Sequence, residues 1–256
     1  MTGAVGAFDS HLAQWLDAEP EARLAQIYVH AARDPRIAAL EAIAHELHAS
    51  LFAVQDGRIA QAKLAWWLDE LAQRPRHPLT RGLVEADGSQ SPMAPLREAC
   101  ASLLRLAQAD SIESTEQLLQ PLVAAATALA RARGDAPGID PRSVAAARLV
   151  FAARDWVRFA RPDRAWLPLE LLARTGVDRA GAVASVPVAR ALLRALGEPL
   201  AQVQSSRLRG IDGARVAAAR VWHARMLAAP TAVLDGRVPP PRLRLVLALW
   251  RVGRRR

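Results

Sequence analysis

Apolar residues recur along this chain at helical rather than strand spacing. After Asp34-Pro35 they stand at Ile37, Leu40, Ile43, Ala44, Leu47 and Leu51, a stripe that gives one helix an apolar face. Asp34 supplies a cap, and Pro35 a first residue with no amide hydrogen to satisfy. The same spacing, punctuated by Pro and Gly, predicts helices at about 9–17, 21–32, 35–54, 57–74, 95–109, 113–133, 141–160, 187–207, 212–228 and 240–252. Glu85 to Pro95 reads as a loop. Neither flank of that loop can bury its apolar face alone, so a single all-α domain over residues 1–256 is expected.

Composition supports this class. Of 256 residues, 52% are hydrophobic and 23% charged, enough for a sizeable core and too apolar for a disordered chain. Ala, Leu and Arg are strong helix formers, and 33 of the 34 basic residues are Arg, Lys63 being the exception. The single cysteine, Cys100, excludes a disulfide framework and a cysteine metal cage. Met1 to Ala13 carries Asp9 and no basic region, and no apolar run approaches the ~18 residues of a spanning helix, so a cytoplasmic protein is expected.

A formal net charge of +9 suits an anionic partner. The basic residues are dispersed and accompany no recognition motif, which argues against nucleic acid. At the C-terminal end Arg242, Arg244, Arg251, Arg254, Arg255 and Arg256 surround Leu243, Leu245, Val246, Leu247, Leu249 and Trp250, the composition of a surface-seeking amphipathic helix and a place for peripheral membrane contact. The stems of the same arginines could equally cover a packed helix.

Two further local signals bear on chemistry. His45 and His48 stand three apart on one helix, whereas a zinc-protease pair needs four, so one exposed and one core-rim histidine are expected rather than a metal site. Neighbours diverge by about 100° on a helix, so Trp66 and Trp67 cannot both face the core; one ring should be buried and the other pack elsewhere.

The stretch Arg154 to Val177, reading RDWVRFARPDRAWLPLELLARTGV, resembles the squalene/phytoene synthase superfamily at Arg154, Arg164, Trp166, Leu167, Pro168, Glu170, Leu171, Gly176 and Val177. Arg36 to Leu47, Lys63 to Leu71 with its Trp66-Trp67 pair, and His77-Pro78-Leu79 are similar to further words of that family, as are the helices from Arg190 through Trp250. The resemblance implies an isoprenoid-synthase-like helical bundle around a central apolar cavity. In the family's enzymes two Asp-x-x-x-Asp motifs on facing helices hold the magnesium ions that grip a prenyl diphosphate. Hard Mg²⁺ takes oxygen ligands, and carboxylates at i and i+4 share a helix face.

Both motifs are degraded here. The first aligns with His48, Ala49, Ser50, Leu51 and Phe52; the second keeps Asp155 beside Arg154 but has Phe159 four residues later, with Arg158 between. The one Asp/Glu pair spaced by four, Asp17 and Glu21, flanks Pro20 and reads as a helix-start charge pattern. Losing several ligand carboxylates removes most Lewis-acid help, orders of magnitude in rate. The resemblance therefore points to the superfamily's assembly-factor-like branch: a pseudoenzyme with no catalytic or metal-binding residues and no cofactor, acting by binding an isoprenoid, a lipid or a protein partner. Arg154, Asp155, Arg158 and Arg164 are the candidate residues for a diphosphate-like anion, since guanidinium forks suit phosphate oxygens. Leu51, Phe52, Phe151 and Phe159 are the candidate cavity lining. Arg161 could join these arginines on an anionic head; the bland competitor is that Arg154, Arg158, Arg161 and Arg164 pair with Asp155, Asp163 and Glu170. The functional alternative is an active prenyl-diphosphate transferase with an altered magnesium site.

Overall fold

A computed structural model describes residues 2–73, 75–89, 91–134 and 138–254; Met1, Arg74, Gln90, Asp135 to Pro137, Arg255 and Arg256, and the expectations that touched them, lie outside the described residues. Among the described residues the chain forms helices and no strand. In order these are α1 (Thr2–Ala18), α2 (Pro20–Tyr28), α3 (Pro35–Phe52), α4 (Gly57–Ala72), α5 (Pro78–Asp87), α6 (Met93–Ala107), α7 (Thr115–Arg133), α8 (Pro141–Ala153), α9 (Trp156–Phe159), α10 (Leu169–Thr175), α11 (Val186–Gln202), α12 (Gly210–Ala228), α13 (Pro230–Leu234) and α14 (Arg242–Gly253). Short 3₁₀ turns occupy His30–Arg33, Gly181–Ala184 and Ser205–Arg207. No helix of the described chain is long and apolar enough to cross a membrane.

Capping chemistry sets many of the starts. Asp34, Asp56 and Asp140 accept hydrogen bonds from the first amides of α3, α4 and α8, and Ser114 and Ser185 do the same for α7 and α11. Helix α3 is buried on almost every side: the expected stripe is in the core, and so are Glu41, His48 and Ser50. Helix α8 is enclosed similarly from Ser143 to Val150, packing on α7, α11 and α12. Leu40, Ile43, Leu47, Leu51, Trp156 and Phe159 are among the largest fully buried side chains, each contributing about 1.5–3 kcal/mol of apolar transfer.

The structure corrects the sequence reading in several places: α1 begins at Thr2 rather than near residue 9, α2 ends at Tyr28 rather than near 32, and α13 had not been expected. The helix expected at 141–160 breaks after Ala153, because the Asp155 carboxylate accepts the Arg158 amide at 3.3 Å and starts a new short helix, α9. Helix α5 had not been expected; His77 caps it unusually, its Nδ1 accepting the Leu79 amide at 3.2 Å. Its C-terminal turn takes Glu85 to Asp87 from the expected loop and α6 takes Met93 to Pro95, and Gly88 at φ 70° closes α5 in a left-handed conformation that side chains disfavour. Helix α10 spans seven residues, too few turns for periodicity to declare it. Helix α11 ends at Gln202 rather than near 207.

Candidate functional site

Charge collects where the helices converge. Glu41 Oε1, on α3, accepts from Arg133 Nη1 of α7 at 2.8 Å, and its Oε2 accepts from Arg215 of α12 and from Arg148 of α8 at 3.5 Å. Asp212 accepts from Arg133 and, at 2.6 Å, from Arg215. Arg148 also donates to Glu19 between α1 and α2 at 3.0 Å, and His45 Nδ1 meets the same oxygen at 3.0 Å. Among the described residues, Arg133, Arg148 and Arg215 thus meet Glu19, Glu41 and Asp212 in one largely buried network. Burial alone would raise the Glu41 carboxyl, but Arg215, Arg133 and Arg148 outweigh it and hold the pKa down to about 2.

Beside this network opens a cleft of about 320 Å³ between the α1–α2 junction, the second half of α3 and the end of α8. Its wall is apolar at Ala18, Ala49, Phe52, Ala53, Phe151 and Ala152, and polar at Glu19, His45, His48, Arg148, Arg154, Asp155 and Arg158. Three guanidinium groups therefore stand against two carboxylates. His48 donates Nδ1–H to the Ala44 carbonyl at 2.6 Å; burial first, then the Arg148 charge, lowers its pKa to about 3. The ring is neutral and its Nε2 carries a lone pair.

Of the positions that the resemblance sets against the two acidic motifs, His48, Ala49, Phe52 and Asp155 line this opening, and Ser50, Leu51 and Phe159 do not. His48 and Phe52 come from one side, Arg154, Asp155 and Arg158 from the other. Arg164 is elsewhere: it donates to the Val54 and Gln55 carbonyls after α3 and stacks on Trp166 at 4.7 Å. Phe52 and Phe151 line the cleft, whereas Leu51 and Phe159 are core side chains. Phe159 stacks behind Phe52 with ring centres 6.2 Å apart and supports the wall without forming it. No family model, curated protein or solved structure matches the chain.

The arginines differ in how far they are committed. Arg148 is locked in the network. Arg154 donates to Glu21 at 2.5 Å and lies over the Phe151 and Trp222 rings. Arg158 pairs with Asp155 at 3.2 Å, but both are substantially exposed, so that pair is weak and easily exchanged for a ligand anion. Arg161 pairs with Asp163 as the competing reading expected, while Glu170 accepts the amide and hydroxyl of Thr115. Glu21 stands in the first turn of α2, as the helix-start reading expected, and its carboxylate also accepts from Arg154 and Trp222.

The donors on the cleft do not fit a magnesium cluster. Of its two carboxylates Glu19 is held by Arg148, His45 and Trp15, which leaves Asp155 as a single, exposed carboxylate beside Arg158, too few oxygen ligands for such a cluster. Among the described residues no group of three or more His, Cys, Asp or Glu side chains could hold a metal ion. The histidine expectation is half met: His48 is buried, and His45 is partly buried on Glu19 rather than exposed. Of the tryptophan pair Trp67 is buried and Trp66 is exposed, with ring centres 5.1 Å apart.

Sequence reasoning passed over Glu19, Glu41, Arg133, Arg148, Asp212 and Arg215. The available signal was a charge inside an apolar helical run, as with Glu41 between Leu40 and Ile43 or Arg148 between Ala147 and Leu149; such a charge must find a buried partner. Nothing in the linear order says which.

Proposed function

We propose that this protein is a non-catalytic, squalene/phytoene synthase-like bundle that seats an isoprenoid or related lipid with an anionic head in the cleft between α3 and α8. The apolar tail would lie on Phe52, Phe151 and the alanines, and the head would exchange Asp155 for Arg158, with Arg154 alongside. A single observation supports the reading: His48 and Phe52 face Arg154, Asp155 and Arg158 across about 320 Å³, so that cations, a neutral imidazole and an aromatic ring line the opening with Asp155 as the one acid between the two stretches of the resemblance. That volume sits at the lower end of small-molecule sites. Without opposed free carboxylates to fix divalent metal, departure of diphosphate has no Lewis acid to draw it off.

The test is a thermal melt with farnesyl diphosphate in a metal chelator, paired with a diphosphate-release assay in Mg²⁺. A ligand that binds only the folded state raises Tm. The expected result is a Tm rise without metal, reduced in Arg158→Glu, and no diphosphate release. Turnover that depends on Asp155 would establish the transferase instead. An unchanged Tm with prenyl diphosphates and phospholipids alike would remove the small-molecule reading.

A further inference from the structure

Helix α14 has two apolar faces. Leu245, Leu249 and Val252 are buried where the helix packs on α12 and α2. Gly253 lies so close to the Tyr28 carbonyl that a side chain there would collide with backbone, which fixes the helix firmly against α2. On the other side Leu243, Leu247 and Trp250 are 80%, 51% and 41% exposed. Offsets of four and seven residues at about 100° each keep these three within an arc of about 60°, roughly opposite the buried face. They make up three of the seven exposed large hydrophobic side chains among the described residues; the other four are spread over α2, α4 and α9.

Charge flanks this ridge on both sides. Arg244 and Arg251 lie about 80–100° round the helix from Leu243 on one flank, and Arg242 about 100° round on the other. Arg254 stacks its guanidinium on Trp250 at 4.5 Å. No Asp or Glu occurs after Asp235 in the sequence. Among the described residues Arg237, Arg242, Arg244, Arg251 and Arg254 form no ion pair, unlike the arginines of the interior network.

We propose that the outer face of α14 docks on an anionic lipid bilayer. Leu243, Leu247 and Trp250 enter the boundary between headgroups and acyl chains, and the arginines lie at phosphate level. No residue of α14 lines the cleft. A second copy of the chain fits poorly, because a two-fold contact through this face would press basic flanks together. Nucleic acid would leave the apolar ridge against phosphates. Twelve residues are too few to span a bilayer, so the contact is a surface one.

Co-sedimentation of the full chain with phosphatidylcholine vesicles, with and without phosphatidylglycerol, tests this. Binding should be at least about tenfold tighter to the anionic vesicles and should weaken with salt. Leu243→Ser with Trp250→Ser should lower it by about tenfold or more with an unchanged melting curve, since both side chains are exposed. Arg244→Glu with Arg251→Glu should abolish the preference for anionic lipid. Lipids brominated on the acyl chain should quench fluorescence in the wild type and less in Trp250→Phe, which keeps the apolar ridge. Equal binding to both vesicles, wild-type binding by the serine variant, or a salt-insensitive dimer that the serine variant dissociates would each overturn the proposal.

Discussion

Arg154 Nη1 and Trp222 Nε1 both donate to one oxygen of Glu21, each at 2.5 Å, although the three residues belong to the end of α8, to α12 and to α2. The guanidinium also lies 4.9 Å from the Trp222 ring centre, so one carboxylate fixes an aromatic wall and a cation together. Glu21→Ala leaves an indole N–H and a charge without their acceptor. A loss of about 2–4 kcal/mol is expected, read as a lower urea midpoint at an unchanged m-value.

Glu41 is the acceptor shared by Arg133, Arg148 and Arg215. Removing it takes a shared acceptor away from three buried guanidinium groups. Glu41→Ala should therefore destabilise by about 3–5 kcal/mol. A double-mutant cycle with Arg133→Ala should show a coupling of about 1–3 kcal/mol, while a cycle with the exposed Arg131–Glu98 pair should be additive.

Stability should fall with acid in two stages. The folded state binds a proton at His48 more weakly than the unfolded chain does, with a pKa of about 3 against the usual 6.5. Its contribution is complete above pH 6.5 and is lost as pH drops toward 3, at up to about 1.4 kcal/mol per pH unit. His77, pushed down by burial and by the nearby His11, acts in the same direction. Glu41, held at about 2 against the usual 4.5, adds a second loss below pH 4.5. Urea midpoints measured across this range should be flat at neutral pH and decline below 6.5; His48→Leu should shallow the first decline and leave the second.

Cys100 is buried on α6 and donates to the Leu64 carbonyl of α4 at 3.3 Å. Burial pushes the thiol up to about 12, so the reactive thiolate is scarce as well as inaccessible. A chromogenic disulfide reagent should label this thiol only at the rate of unfolding, and labelling should accelerate in step with Glu41→Ala destabilisation. Rapid stoichiometric labelling of the folded wild type would contradict this placement.

The helices were legible wherever local chemistry suffices. Asp34-Pro35 and Asp140-Pro141 mark starts, and the stripe from Ile37 to Leu51 marks the buried face of α3. The break at Asp155 was written in the sequence too, but a capping side chain competes with a continuous apolar period, and only the folded backbone shows that the cap won. The cleft was half legible: Phe52, Phe151, Arg154, Asp155 and Arg158 came from the motif resemblance, while Arg164, Leu51 and Phe159 went to other duties. What sequence by itself determined is an all-helical chain with its helix starts and buried stripes, because periodicity and residue identity are local properties. The tertiary structure alone decided that Glu41 meets Arg133, 92 residues away, and Arg215, 174 away, because a buried charge is satisfied by whatever packing places beside it.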